Sequence, residues 1–272
     1  MTRPAAIAFG CAILAGCAPA LREPPSLTEM AGGTRTGNRV DAETLLADAE
    51  RLLQQPDAPS MRAAAGSFLR AAAEGAGGSD ALIGAVRAQV WLADHEEEAA
   101  ARESAATSAV NAAQWCGRVE PASAACDYWL AVSLGLQARE RRSTALDALP
   151  RIVELLERAA AAKPEIDEAG PHRVLALVLL RAPGWPSGPG DPERGLEEAR
   201  RAVALRPDHP PNQLCLGEAL EDAGEMEAGR EAYRRAGILA RERIEAGERD
   251  APEWLEQAER ALSGDRSARD PS

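Results

Sequence analysis

The sequence predicts an all-α protein whose short antiparallel helices stack in order along the chain. Apolar residues make up 45% of the 272 residues but aromatic residues only 3%, whereas the faces of a β-sandwich or barrel need aromatic and β-branched residues. Alanine dominates the apolar share, and Ala, Leu, Glu and Arg are strong helix formers. Helical patterns also recur at short intervals.

The individual helices are predicted from these apolar patterns and from the Pro, Gly and Asp residues between them. Lengths of roughly 12 to 22 residues with short connections favour antiparallel hairpins stacked in order. The predicted spans are 41–55, 59–75, 79–93, 95–116, 124–140, 145–162, 167–181, 191–206, 210–223, 226–246 and 251–262.

The region around Pro207 has the residue spacing of a tetratricopeptide repeat. In that repeat, small residues lie where the two helices of a hairpin cross, and Pro ends the second helix. The matching residues are Ala202, Pro207, Leu216, Gly217, Gly224, Gly229, Tyr233 and Ala236. An earlier repeat has Leu134–Gly135 near its start and Ala159 and Pro164 at its end. The sequence therefore predicts a right-handed α-solenoid of tetratricopeptide-like hairpins with about 10–11 helices, and the alternative is an irregular Ala-rich bundle.

The first seventeen residues are typical of an exported lipoprotein. Arg3 precedes an apolar run over 5–14, which is too short to span a bilayer but suits the apolar region of a secretory signal. Leu14-Ala15-Gly16-Cys17 resembles a bacterial lipobox, which implies cleavage before Cys17 and lipidation of that cysteine. The alternative is an ordinary secretory signal that contains a cysteine. Ala18 stands where an inner-membrane retention signal usually has Asp, so we expect an outer-membrane lipoprotein that faces the periplasm.

The signal and the repeats divide the chain into four parts. Residues 1–16 are the predicted signal peptide, and 17–38, rich in Pro, Gly and polar residues, are expected to be a flexible linker after the lipidated cysteine. Residues 39–262 form the predicted helical-repeat domain. Residues 263–272 are polar and charged and are expected to be a disordered tail.

An over-long loop supplies the candidate binding residues. Pro164 and Pro207 are 43 residues apart, which exceeds the repeat period of about 34 residues. Extra residues are therefore inserted between them. The insertion includes the loop Ala182–Asp191, in which three Pro and three Gly surround Trp185. Trp185 either anchors a partner or folds back onto the core.

Arg173 opens an apolar helix. We expect a carboxylate or a ligand anion to compensate its charge, unless the side chain is simply exposed. Tyr128 and Trp129 begin the first helix of the preceding hairpin and are expected to border the same opening.

Three cysteines of the repeat region are assigned separately. Cys116 ends one predicted helix and Cys126 begins the next, and export would place them where disulfides persist. They form either a disulfide or two small core residues. Cys215, within the regular repeat, is expected to be free and buried.

The sequence offers no recognisable catalytic or cofactor chemistry. His95, His172 and His209 have no metal-ligand spacing with one another or with cysteine, and no phosphate-binding, nucleotide-binding or nucleophile motif is present. The run Glu96–Glu98 is expected to complement a helix dipole. A net charge of −12 argues against nucleic-acid binding. We therefore expect no enzyme, no metal and no cofactor.

Two segments resemble a known family. They are similar to segments of the T component of the TRAP transporter-associated family (TatT). The first segment is CDYWLAVSLG at 126–135. The second is GPHRVLALVLLRAPGWP from Gly170, followed by GDPERGLEEARRAVALRPDHP. Members are tetratricopeptide-like lipoproteins linked with a periplasmic solute-binding protein, the P component, and with TRAP-type permeases. Ala176 departs from the Gly expected after Leu175.

The resemblance implies a scaffold function. It implies binding of the P component, aid in the uptake of a small apolar or anionic solute, and possible self-association as a trimer. The alternative is an adaptor lipoprotein in envelope or secretion-complex assembly with no solute.

Overall fold

The computed structural model describes residues 21–32, 42–55 and 57–264, with the side chains of 142–145 left undescribed. The predicted signal peptide, the lipidation site Cys17 and nearly all of the predicted tail lie outside the described residues.

The described residues form twelve helices and no strand. All eleven predicted helices are present, and a short additional helix precedes them, so the predicted all-α fold class is confirmed. The helices are α1 (Leu27–Met30), α2 (Ala42–Leu53), α3 (Ala58–Ala73), α4 (Gly78–His95), α5 (Ala99–Val119), α6 (Ala124–Glu140), α7 (Arg142–Ala162), α8 (Ile166–Arg181), α9 (Pro192–Leu205), α10 (Pro210–Asp222), α11 (Met226–Glu245) and α12 (Ala251–Ser263). The Glu96–Glu98 run lies in the turn before α5 instead of within a helix. No described helix is both long enough and apolar enough to cross a membrane.

From α2 onward, the helices form a solenoid of antiparallel hairpins. Each helix packs against the next, and the even-numbered helices from α2 to α12 also pack against one another as a continuous layer. Within this layer the helices run parallel, because Arg173 of α8 contacts Asn212 of α10 and Arg181, two turns later, contacts Glu218. The turns therefore alternate between two edges, one where even-numbered helices end and one where odd-numbered helices end.

Small residues allow the close helix crossings of this solenoid. A Cβ atom at Gly84 of α4 would lie 2.6 Å from the Phe68 ring of α3. A Cβ atom at Gly217 of α10 would lie 2.4 Å from the Tyr233 ring of α11. Both distances are far below van der Waals contact, so each aromatic ring packs directly on glycine backbone. Gly217 and Tyr233 thus have the roles of the small and aromatic positions that the repeat spacing predicts.

The last turn of the solenoid contacts its first helices. Arg249, before α12, donates a hydrogen bond to the carbonyl of Leu53 at the end of α2 (2.9 Å), and its guanidinium lies 5.9 Å from the ring centre of Trp91. Asp250 accepts two hydrogen bonds from the same guanidinium. The chain therefore curves until its two ends meet.

The segment 21–32 differs from the flexible linker that composition predicts. Pro24 is buried, the Trp115 indole of α5 donates a hydrogen bond to the carbonyl of Pro25 (2.8 Å), and Arg118 pairs with Glu23 (3.4 Å). α1 packs on α3. We call residues 21–31 the N-terminal strap. The strap edge is the edge at which α5 and the other odd-numbered helices end.

A local sequence signal accounts for the helix in the strap. Ser26 caps α1, and its side chain and backbone exchange hydrogen bonds with Glu29 in a capping box. The Ser-x-x-Glu pattern at 26–29 is the usual sequence signature of this motif. The Pro, Gly and polar residues of the whole segment predict a linker, and this composition hides the capping-box signature.

Cys116 and Cys126 are joined by a disulfide that ties the end of α5 to the start of α6, with their Cα atoms 5.4 Å apart. Cys215 of α10 is free and buried, and burial raises the pKa of its thiol to about 12. Because the thiolate is the reactive form, Cys215 is protected in the folded protein.

Replacing Cys116 and Cys126 together with Ser is expected to lower the free energy of unfolding by about 2–3 kcal/mol, because the short loop they close becomes free in the unfolded chain. Urea unfolding measures this loss. Alkylation of the denatured, unreduced protein followed by peptide mapping is the control, and of these three cysteines only Cys215 should react. Alkylation of all three would contradict the disulfide.

Candidate functional site

A groove with a volume of about 560 Å³ lies between α8, α10, α11 and the end of α12. Its apolar lining includes Leu177, Leu214, Met226, Tyr233 and Leu262. Its charged lining consists of Arg173, Arg181, Arg230, Arg260, Glu218 and Glu221. Two of these four arginines, Arg173 and Arg260, pair with the carboxylates of Asp167 and Glu256 outside the lining.

The α8 wall of the groove follows a helical repeat. Arg173, Leu177 and Arg181 recur at every fourth position and so lie on one face of α8. Sequence reasoning identified Arg173 but missed the other two, although their spacing was available. It also missed Arg230 and Arg260, which only the packing of α11 and α12 brings to this groove.

Arg173 is held in place by protein groups. Its guanidinium donates hydrogen bonds to the Asp167 carboxylate (2.8 Å), to the carbonyls of Asp167 and Glu168 (3.2 Å each) and to Oδ1 of Asn212 (3.0 Å). The side chain is only 11% exposed. The carboxylate of Asp167 therefore compensates the charge of Arg173, which is one of the interpretations that the sequence leaves open.

The partners of Arg173 belong to an unusual turn. Asp167, Glu168 and Ala169 have φ angles of 50°, 54° and 66°, so three consecutive residues other than glycine are left-handed. This conformation costs roughly 1–2 kcal/mol per residue. Asn212 supports the turn by donating to the carbonyl of Glu168 (3.0 Å). Backbone strain of this kind persists only where the surroundings enforce it, and it is common at functional sites.

Tyr128 lies beneath this turn and does not border the groove, so its expected position at an opening is corrected. The ring is buried, and its hydroxyl donates a hydrogen bond to Asp167. Burial, and then the charge of Asp167, raise the pKa of Tyr128 well above its usual value. The physical reason is that α6 packs against α8, and a Cβ atom at Gly170 would lie 2.4 Å from the Tyr128 hydroxyl.

Trp129 also lies outside the groove lining. It is half-buried against the core and contacts Tyr128 edge to face, with ring centres 5.0 Å apart. Tyr128 is therefore a packing residue of the α6–α8 interface, and Trp129 packs beside it against the core.

Trp185 is displayed to solvent. It is 89% exposed, so the ring does not fold back onto the core. The loop that carries it is held by its own backbone hydrogen bonds, from Gly190 to the Pro183 carbonyl and from Asp191 to the Leu179 carbonyl (2.9 Å each). Because an exposed Trp on an ordered loop loses little entropy when it is covered, it is well suited to anchor a partner.

The Trp185 loop and one end of the groove lie at the same edge of the solenoid. The loop follows Arg181, the last residue of α8, and the groove extends to Ser263 at the end of α12. We call this edge, where the even-numbered helices end, the Trp185 edge. Arg181 makes a two-point hydrogen-bonded pair with Glu218 (2.8 and 2.7 Å) at this edge.

The described side chains do not assemble a metal centre: no cluster of three His, Cys, Asp or Glu residues among them is placed to hold an ion. The arrangement at the Trp185 edge combines an apolar groove floor, guanidinium groups at its rim and one exposed indole. These groups can bind a protein segment or an apolar molecule with an anionic end.

Tyr128→Phe is expected to lower the free energy of unfolding by about 1–2 kcal/mol, because it removes a buried hydrogen bond to a carboxylate that is itself partly solvated. Trp185→Ala is the control and should change it by less than about 0.5 kcal/mol, as for other exposed residues. Urea unfolding of both variants tests this contrast. A loss of about 3 kcal/mol for Trp185→Ala would show that the indole packs in the core.

Comparison with known proteins identifies the fold. No protein-family model matches the chain, and no curated protein matches it. Among solved structures, it is similar to the crystal structure of a thermophilic TPR protein of Thermus thermophilus, with a TM-score of 0.59 and 19% sequence identity over 80% of this chain and 98% of that chain. The chain therefore has the tetratricopeptide-repeat fold, a solenoid of stacked helix hairpins.

Proposed function

We propose that this protein is a lipid-anchored, periplasm-facing scaffold that binds a solute-binding protein at its Trp185 edge. The observation that carries the proposal is Trp185, 89% exposed on a hydrogen-bonded loop beside an arginine-rimmed groove. Tryptophan and arginine are the residue types enriched at interface hot spots. The concave layer of even-numbered helices gives the partner a preformed surface.

The proposed anchor is the acylated Cys17. It is supported by the apolar run over 5–14 and by the Leu14-Ala15-Gly16-Cys17 pattern. Because several acyl chains bind a membrane far more firmly than one, a triacylated cysteine would hold the body at the outer membrane without a spanning helix.

The proposed partner is a P-type solute-binding protein that works with a TRAP-type transporter. The support is the resemblance of residues 126–135 and 170–207 to TatT lipoproteins. In this role the scaffold aids uptake of a small apolar or anionic solute, and self-association as a trimer belongs to the same proposal.

A second candidate is an adaptor in envelope or secretion-complex assembly. Arg181 and Arg260 are already paired with Glu218 and Glu256. This pairing weakens the attraction of the groove for a free anionic solute and leaves Trp185 as the main anchor for a protein.

Cys17→Ala is expected to abolish membrane attachment, because the acidic body has no other strong affinity for lipid. Metabolic palmitate labelling and fractionation of envelopes measure the result, with the unaltered chain as control. An altered chain that is still labelled and membrane-bound would contradict the anchor.

Trp185→Ala is expected to weaken partner capture by about 30-fold, which corresponds to about 2 kcal/mol for a hot-spot tryptophan. Crosslinking and pull-down from envelopes, with native mass spectrometry for stoichiometry and bound solute, identify the partner and the oligomeric state. Ile238→Ala is the matched control, because Ile238 is a 47% exposed apolar residue on α11.

Capture by Trp185→Ala at the level of the Ile238→Ala control would contradict the site. Recovery of envelope-assembly proteins without any solute-binding protein would favour the adaptor candidate over the first proposal.

A further inference from the structure

The N-terminal strap determines where the chain leaves the folded body. Pro24 is buried, the carbonyl of Pro25 accepts the Trp115 indole N–H (2.8 Å), and Glu23 pairs with Arg118 (3.4 Å). Trp115 and Arg118 belong to the last turns of α5. The described chain therefore begins at the strap edge, beside the end of α5.

The chain between this point and the proposed anchor is very short. Cys17 and Leu21 are four residues apart, so their Cα atoms are separated by at most about 14 Å even in a fully extended chain. A tether of this length cannot place the strap edge far from the lipid headgroups. A flexible linker over 17–38, by contrast, would leave the orientation of the body free.

We infer that the strap edge rests on the surface of the phospholipid bilayer that carries the anchor, with α5 ending toward the lipid. This inference rests on the proposed acylation of Cys17 and adds to it the face that meets the membrane.

The composition of this corner suits a bilayer surface. Leu21 and Val119 are 38% and 51% exposed and are among the few large apolar side chains on the surface of the described chain. The Arg118 guanidinium lies 4.9 Å from the ring centre of Trp115, and Trp and Arg are both favoured at headgroup level.

The charges at this corner are mixed. Arg22 and Arg118 lie in the strap and at the end of α5 together with Glu23, Glu29 and Glu120. The inference therefore rests on the short tether and on the apolar and aromatic side chains, and not on attraction to anionic lipid.

This orientation places Trp185 away from the lipid. In the central hairpins the strap lies at the end of α5 and the Trp185 loop follows the end of α8, at the opposite ends of the helices, and α4 and α5, of 18 and 21 residues, are about 25–30 Å long. The two edges meet only where the chain closes on itself, at the contact of Arg249 with Leu53. Trp185 then faces the compartment, where a water-soluble partner can reach it.

The α4–α5 hairpin offers a matched pair of reporter positions. Glu74, in the turn before α4, lies at the strap edge, and Glu97, in the turn after α4, lies at the Trp185 edge. Both are exposed glutamates outside the core. Glu74→Cys and Glu97→Cys can each be labelled with an environment-sensitive fluorophore, since Cys215 is buried and unreactive.

The experiment uses the full acylated protein, added to vesicles of phosphatidylethanolamine and phosphatidylglycerol that contain a nitroxide-labelled headgroup lipid. The label on the Glu74→Cys variant is expected to be quenched at least about threefold more strongly than the label on the Glu97→Cys variant, because nitroxide quenching acts only over short distances. The labelled unaltered chain is the control for reaction at Cys215.

The outcomes separate the two proposals. The first case is a chain whose intact mass includes the acyl groups. If its two labels are quenched equally, or if the label on the Glu97→Cys variant is quenched more strongly, the orientation is overturned and the anchor stands. A chain whose mass lacks the acyl groups and that does not bind the vesicles would overturn both.

Discussion

The fold depends on the close approach of neighbouring helices, which only small residues at the crossings permit. Ala85, Ala109, Ala131 and Ala159 are completely buried, and glycine replaces alanine where an aromatic ring needs the space, as at Gly217 beneath Tyr233. Each buried methyl group contributes little, about 0.8 kcal/mol, so stability is spread over many contacts. The numerous Arg–carboxylate pairs on the surface contribute roughly 0–1 kcal/mol each. Close packing, therefore, rather than ion pairing, holds the solenoid together.

The left-handed turn at 167–169 is the main exception to this regular packing, and it defines what Arg173 does. Three residues in this conformation cost roughly 1–2 kcal/mol each. Two sets of hydrogen bonds offset that cost. Tyr128 and Arg173 donate to the Asp167 carboxylate, and hydrogen bonds to charged groups contribute roughly 1.5–3 kcal/mol each. Arg173 and Asn212 also donate to carbonyls of the turn. Arg173 is therefore a structural residue of the groove wall. An anion in the groove would have to be met by the other arginines.

Most of the fold, but only part of the site, was predictable from the sequence. Helix positions follow from local apolar periodicity and from Pro and Gly, so all eleven predicted helices are present, although residues 96–98 and 167–169, at two of the predicted starts, are not helical. Periodicity does not show whether a loop residue folds back, so the sequence does not determine the exposure of Trp185. The burial of Tyr128 was missed because it depends on the left-handed turn, whose sequence, Asp167-Glu168-Ala169, has no glycine to mark it. Arg230 and Arg260 reach the groove only through the packing of distant segments.

The strap and the Trp185 loop lie at opposite ends of the central hairpins because of the connectivity. In a solenoid of antiparallel hairpins, every odd-numbered helix ends at one edge and every even-numbered helix at the other. The strap docks against the end of α5, and the same corner holds the Cys116–Cys126 disulfide. The insertion with Trp185 follows α8 and so falls at the other edge. In a chain anchored at Cys17, the order of the helices would therefore hold Trp185 at the end of the central hairpins that faces away from the strap, without a long linker.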